Sequence, residues 1–354
     1  MRNRTIEFLL EHNRKQSTSF CSPDATLARR QYRSVHPTEI GALKCMDGRL
    51  HLPVITNTPL GIIQPFRNIG GKFDLGWPFF GESFKGWVDY AVNRGRDCIV
   101  FVTYHWSRGD IHRGCRGFNY DLEAAKVFTA KLTSEIEEVF GVGHVVVYPI
   151  QLGIETDVDG LVFHGKGNPL DLSNLENTSS DFLQKELRHL YPDMKVQMLQ
   201  DLMPLLLGNI EHIAEIRASN RLPVDAEHKE SIIGIGRGFD WLHIPNRALI
   251  IGPWSFDLRS PIIAAAGIVL DNLKQGRINP KDGVVLLSSA AYRESVGIEP
   301  LLAVKKAKAL ADLALETIHK EVPELSPILQ GLIGIVDLDT RVFREVQFVD
   351  GAKE

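Results

Sequence analysis

The stretch Cys98-Ile99-Val100-Phe101-Val102-Thr103-Tyr104 is continuous and rich in β-branched residues. That is the pattern of a strand buried on both faces of a parallel sheet. A loop, His105–Phe118, follows it. Beyond the loop, Leu122, Ala125, Val127, Phe128, Leu132, Ile136 and Val139 recur at helical spacing, and His144–Ile150 is again apolar. Strand, crossover helix and strand in that order predict an α/β fold with a mostly parallel β-sheet flanked by helices. Upstream, Arg4–Tyr32 reads as one or two polar helices broken at Ser22-Pro23. An apolar run, Ile40–Leu43, leads into the turn Cys45-Met46-Asp47-Gly48-Arg49, and Pro65–Gly86 reads as a Gly-rich, aromatic loop. Downstream, His164–Glu176 is polar and turn-rich, Phe182–Ala218 is helical, and Ser219–Glu230 is a linker. Strands are expected at Ala248–Ile251, Val284–Leu287 and Leu332–Leu338, and a long helix over Leu301–His319.

Size and charge narrow the function classes. The 354 residues suggest two domains at about 150 residues each. Lys+Arg 40 against Asp+Glu 44 gives a net charge of -4, without the basic footprint of a nucleic-acid binder. No apolar run reaches the roughly 18 residues that span a bilayer, and Met1-Arg2-Asn3-Arg4 is not followed by a signal-peptide core. The chain is therefore expected to be soluble and cytoplasmic. Its four cysteines, Cys21, Cys45, Cys98 and Cys115, all lie in the first third, too few for a disulfide framework.

The second half repeats the first. Gly153–Val158 matches Gly334–Asp339, the strand-loop-helix unit over 99–139 matches 284–320, and Lys44–Arg49 matches Trp254–Arg259, with Ser255 in the place of Cys45. The expected organisation is an N-terminal helical segment (1–37), a metal-binding α/β domain (38–180), a helical connector (181–230) and a duplicated α/β domain without the ligands (231–354).

Three features of the first half carry chemistry: Cys45-x-Asp47-x-Arg49 at a strand end, His105 at the end of the next buried strand, and Cys115 before a helix. Two thiolates and one imidazole bind zinc with a fourth position open, the pattern of a catalytic site. His112 competes with His105, because His112-x-x-Cys115 also has ligand spacing. Asp47 beside Cys45 suits a hydrogen-bond acceptor for a reacting water, and Arg49 suits a bidentate partner for Asp47.

On these residues the chain resembles the β-class carbonic anhydrases, whose pattern is C-x-D-x-R, an R-N-x-G-N-like turn, then a strand ending in His with Cys shortly after. Here the turn is Arg67-Asn68-Ile69-Gly70-Gly71, and Gly153–Gly160 looks like the family's closing strand. The ten-residue step from His105 to Cys115 looks like the divergent branch found in carboxysome shells, which also carries a duplicated domain that has lost its ligands. The resemblance implies a Zn2+ cofactor held by Cys45, His105 and Cys115, and hydration of carbon dioxide to bicarbonate by zinc-bound hydroxide. It further implies two related domains forming a pseudo-dimer, and a homodimer or higher homo-oligomer. A carboxysome shell or Rubisco would be partners. The large N-terminal region of the carboxysomal members is mostly missing from this chain, which has only about 38 residues before its first strand, and this argues against residence in a carboxysome.

Arg67, Asn68 and Gly70 are expected to shape the site or touch substrate, with Gly70 supplying backbone freedom. His112 is expected as a proton shuttle if it is not a ligand. Cys98 reads as a core thiol. A nucleoside deaminase would need His-x-Glu together with Pro-Cys-x-x-Cys; His-x-Glu occurs at 228–230 and 319–321, but no Pro-Cys-x-x-Cys accompanies it. Gly234-x-Gly236-x-Gly238 does not open a helix and carries no nucleotide signature. The alternative from another class is a non-catalytic zinc- or bicarbonate-binding regulatory protein on the same fold.

Overall fold

The computed structural model of the protein describes residues 2–141, 146–175, 178–219, 228–242, 244 and 246–350. The fold is α/β, with two mixed, mostly parallel sheets flanked by helices. Two compact units form: Leu27–Cys45 with Arg49–Glu227, and Met1–Thr26 with Met46–Gly48 and His228–Glu354. Among the described residues no helix is long and apolar enough to cross a membrane. Most of the expected linker Ser219–Glu230, and the start of the strand expected at His144, lie outside the described residues.

In the unit around Leu27–Cys45 and Arg49–Glu227, β1 (Glu39–Cys45), β2 (Ile63–Asn68), β3 (Cys98–Trp106) and β4 (Val147–Glu155) run parallel. Antiparallel β5 (Gly160–Phe163) and β6 (Leu170–Asp171) complete the order β2-β1-β3-β4-β5-β6. Every residue of β3 but Trp106 is buried, as its unbroken apolar run predicts, and each large apolar side chain there contributes about 1.5–3 kcal/mol. The chain steps from β1 outward to β2 and returns across β1 to β3, so the strand order reverses between β1 and β3. In open parallel sheets that reversal opens a crevice at the strand C-termini.

Helices α3 (Leu52–Ile55), α4 (Pro78–Val92), α5 (Leu122–Ile136), α6 (Ser180–Leu190) and α7 (Val196–Ala218) belong to this unit, as does α2 (Pro23–Val35) from Leu27 onward. The stretch Pro65–Gly86, expected as a loop, contains most of β2 and half of α4. Pro65 is tolerated because β2 is an edge strand. In α4, Phe80, Phe84, Val88 and Ala91 are buried at helical spacing, and the rings of Phe80 and Phe84 pack on Phe66 of β2 at 6.0 and 5.7 Å. Burial of that aromatic face outweighs the helix-weakening Gly81 and Gly86.

In the other unit, β7 (Ile232–Gly236), β8 (Ala248–Ile251), β9 (Val284–Tyr292) and β10 (Leu329–Asp337) are parallel, and β11 (Phe343–Asp350) is antiparallel, in the order β11-β10-β9-β7-β8. α8 (Arg259–Lys274) and α9 (Ile298–Glu321) are its crossovers. α1 (Arg4–Cys21) belongs to this unit: Ile6 and Leu9 join its core with Trp241 and Leu287, and Asn13 both donates to Arg341 O (2.9 Å) and accepts from Phe343 N (2.8 Å).

The two sheets share one plan. β8-β7-β9-β10 followed by β11 reproduces β2-β1-β3-β4 followed by β5. β3 and β4 pair through Trp106↔Glu155, β9 and β10 through Tyr292↔Asp337, each over nine residues. The next amides repeat as well: Thr156 N donates to Trp106 O (2.8 Å) and Leu338 N to Tyr292 O (2.9 Å). Leu43 pairs with Val102, and Ile235 with Ser288, the fifth residues of β3 and β9. Two residues further on, Arg237 takes the place of Cys45. Along β9, Ala291 takes the place of His105. This register corrects the match of Lys44–Arg49 to Trp254–Arg259, because β7 and not β8 is the counterpart of β1. The match of Gly153–Val158 to Gly334–Asp339 likewise slips by one residue, since Glu155 corresponds to Asp337.

Candidate metal centre

Cys45 is the last residue of β1 and His105 the penultimate residue of β3, so both stand at the reversal of strand order. Cys115 reaches them from the loop between β3 and α5. It starts the 3-10 turn Arg116–Phe118, and its carbonyl accepts from Phe118 N (3.1 Å) and Tyr120 N (3.0 Å). The ligand atoms of Cys45, His105 and Cys115 all lie within 4.8 Å of one another, and all three residues are buried. The two sulfurs are 4.0 Å apart, and they are not joined in a disulfide.

Three observations test whether this group fits a metal. Two thiolates about 2.3 Å from a tetrahedral zinc stand roughly 3.8 Å apart, close to the separation here. Among the described residues neither ring nitrogen of His105 has a hydrogen-bond partner, although buried polar atoms are normally satisfied. Two sulfurs and an imidazole are a donor set suited to zinc. The group fits. His112, the competing ligand, is exposed; its ring stands edge-on to Tyr120 at 5.2 Å, and only His105 is gathered with the two thiols.

The turn after β2 closes against the centre by a close approach of backbone, with Lys72 Nζ over the Phe118 ring at 4.5 Å beside it. Gly70 and Gly71 both have φ 64°, a region open to glycine at little cost. A Cβ on Gly71 would stand 3.0 Å from Thr103 O and 3.4 Å from Cys45 N; one on Gly117 would stand 2.6 Å from Gly70 Cα. The Arg67–Gly71 turn and the Cys115–Phe118 turn therefore touch main chain to main chain. Asn68 is buried and its Nδ2 donates to Lys72 O (2.8 Å), closing the turn. Arg67 is buried beside it.

Asp47 and Arg49 are also buried. Asp47 forms an antiparallel bridge with Leu249, and Ile250 N donates to Met46 O (2.8 Å). Arg49 Nη2 donates to Arg113 O (2.8 Å), which ties Arg49 to the loop that delivers Cys115. Cys98 is in the core at the start of β3, and burial, assisted by Glu39 and Asp97, pushes its thiol up to about 12.

Sequence reading missed a second ring of carboxylates around the same loop. Glu155, at the end of β4, is buried, and that burial raises its pKa. Burial pulls Asp157 the same way, but hydrogen bonds from Ser107 and Gly109 prevail and lower its pKa. The available signal was the position of both acids just past a strand C-terminus, where a parallel sheet gathers its functional groups.

The chain is a divergent relative of carboxysome-associated carbonic anhydrases. It is 27% identical over 238 residues to the carboxysome shell carbonic anhydrase of Prochlorococcus marinus subsp. pastoris, covering 57% of this chain and 46% of that protein. It is 25% identical over 259 residues to the protein of the same name from Hydrogenovibrio crunogenus, covering 62% and 48%. A third such protein, from another strain of Prochlorococcus marinus, is 24% identical over 238 residues, covering 57% and 45%. The chain thus spans about half the length of the curated relatives it matches. No protein-family model matches it.

Proposed function

We propose that the chain is a zinc-dependent carbonic anhydrase, catalysing the reversible hydration of carbon dioxide to bicarbonate and a proton. The observation that carries this reading is the buried trio: two thiols and an imidazole whose ligand atoms all lie within 4.8 Å of one another at the C-terminal edge of the sheet. Zinc supplies Lewis acidity there, which makes water a nucleophile near neutral pH. Cys45 and Cys115 would hold it as thiolates and His105 as a neutral imidazole. Asp47 accepts a hydrogen bond from the attacking water and turns a lone pair toward the carbon of carbon dioxide. Arg49 keeps Asp47 ionised, since charge-assisted hydrogen bonds favour the carboxylate. Arg67, Asn68 and Gly70 shape the wall of the site, and exposed His112 carries the released proton to solvent.

In this reading residues 38–180 are the active domain and 231–354 a copy without ligands. Zinc content should therefore be one per chain, and two tightly bound zincs would overturn that assignment. The names of the relatives suggest a carboxysome as its compartment, with the cytoplasm as the other choice, and a homo-oligomer as its working form.

Stopped-flow hydration of carbon dioxide tests the proposal. Wild type should be active. Cys45→Ala should fall to background with loss of zinc. Asp47→Ala should keep zinc and lose about 100-fold or more, the scale of a lost proton-handling group. Equal inertness of all three, with zinc bound to wild type, would make the protein a non-catalytic zinc or bicarbonate binder instead.

A further inference from the structure

The loop from His105 to Cys115 is fastened near both of its ends to Asp157, in the turn after β4, while between them Arg108 N donates to Glu155 Oε1 (3.3 Å). Ser107 Oγ donates to Asp157 Oδ1 (2.7 Å) and Gly109 N to Asp157 Oδ2 (2.7 Å). Arg113 Nη1 lies 3.7 Å from Asp157 Oδ1. Ser107 is two residues after His105 and Arg113 two residues before Cys115, so Asp157 grips the loop just inside each ligand. Ser107 Oγ in turn accepts from Asp110 N (3.0 Å). On the outer side, Arg108 pairs with Asp171 (2.7 Å).

The other sheet shows which of the two acids belongs to the fold. At the place of Glu155, Asp337 accepts from Asp339 N (2.8 Å) and Thr340 N (3.2 Å). Glu155 does the same for Asp157 N (3.1 Å) and Val158 N (3.2 Å). That carboxylate shapes the turn in both sheets. Asp339, at the place of Asp157, is exposed, and the shorter loop there, Arg293–Gly297, is held instead by Glu299 from α9. The turn forms without the grip, and the grip exists only where a loop must deliver a thiol.

We infer that Asp157 is a positioning residue that sets how firmly the chain retains its metal, by fixing the loop that carries Cys115 to Cys45 and His105. The inference rests on the reading of that trio as a zinc site. Asp157→Asn is the sharp variant: it keeps the side chain's size, removes the negative charge that faces Arg113, and leaves one oxygen to accept where two accepted before, so Ser107 must turn from donor to acceptor.

The test measures zinc release from the full chain to an excess of a chromophoric chelator, together with the absorption spectrum of the cobalt-substituted protein. Release from Asp157→Asn should be about 10- to 100-fold faster than from wild type, the range for loss of a partner behind a ligand. Its thiolate-to-cobalt bands should persist but shift, because both sulfurs remain and their geometry changes. Asp171→Asn, which frees the outer side of the same loop, should change release less than about twofold and leave the spectrum as it was, so loosening of the loop in general is not enough. If Asp157→Asn does not fold, Ser107→Ala removes one of the grip contacts and should release zinc several-fold faster. Wild-type release from Asp157→Asn, or from Ser107→Ala in its stead, overturns the inference while leaving the zinc site intact. A wild type that takes up neither zinc nor cobalt overturns the zinc reading, and this inference with it.

Discussion

The C-terminal edges of the two sheets are built to one plan and carry different residues. On one edge β1 ends in Cys45, β3 carries His105, and a long loop returns Cys115. On the other, Arg237 and Ala291 stand at the matching places, and the five-residue loop Arg293–Gly297 leads straight into α9. Strand order, pairing register and the turn after the last parallel strand are the same in both. The comparison teaches that the framework sets where such side chains can stand, and that three side chains and one loop decide whether a group able to hold a metal is gathered there.

The hardest blow to this comparison comes from the ligands. His105→Ala should lower zinc affinity beyond the roughly 10- to 100-fold that loss of an outer partner costs, as read by competition with a chelator of known affinity. Retention of wild-type affinity would mean that the buried trio is not the metal centre. Next in size is the backbone contact behind Cys45. Gly71→Ala adds a Cβ at φ 64°, 3.0 Å from Thr103 O, and should cost about 1–3 kcal/mol of stability. Gly276→Ala in the other unit, at φ 67° with open space around it, should cost only the conformational part, about 1 kcal/mol. Equal shifts in thermal midpoint would show that the crowding near Cys45 is immaterial.

A smaller effect separates the thiols. In the native zinc-loaded protein a thiol reagent at pH 8 should label exposed Cys21 quickly and leave Cys98 untouched, since burial pushes that thiol up to about 12. A chelator should then expose Cys45 and Cys115 to labelling. Labelling of all four at one rate before chelation would contradict the buried centre. Asp157 gives a pH signature of on the order of 1 kcal/mol. Its folded pKa is depressed, so the stability it adds is present above the unfolded value near 3.9 and is lost as pH falls through the lower folded value. Urea unfolding should therefore separate wild type from Asp157→Asn at pH 6 and bring them together near pH 2. The least change is expected from Arg237→Cys with Ala291→His: two ligands without the long loop should leave zinc at one per chain by elemental analysis.

Much of this was readable in the sequence where burial is two-sided. The continuous, β-branched run of β3 reads as a buried strand, and the grouping of Cys45, His105 and Cys115 is the set that the family resemblance implied, with ligand spacing alone leaving His112 as a competitor. β2 and α4 were hidden because Pro65, Gly81 and Gly86 look like loop punctuation when the aromatic packing that overrides them is out of view. The internal repeat was legible but its register was not. Trp254–Arg259 has the look of Lys44–Arg49, yet Asp257 there caps α8 by accepting from Arg259 N (2.9 Å) and Ser260 Oγ (2.6 Å). Only strand pairing distinguishes such a cap from a ligand loop. Asp157 was beyond reach for the same reason, since its partners lie 50 and 48 residues away in sequence.

The reversal of strand order between β1 and β3 has a consequence for the order of events in folding. Cys45 and Cys115 are 70 residues apart in sequence, and β2 and α4 lie in the chain between β1 and β3. Such non-local parallel pairing is slow to form. A motif with two cysteines a few residues apart can seize a metal while the chain is still extended, whereas here no local segment holds two sulfurs. Zinc should therefore enter after the sheet has assembled, and refolding in its presence should show metal uptake lagging behind the appearance of secondary structure.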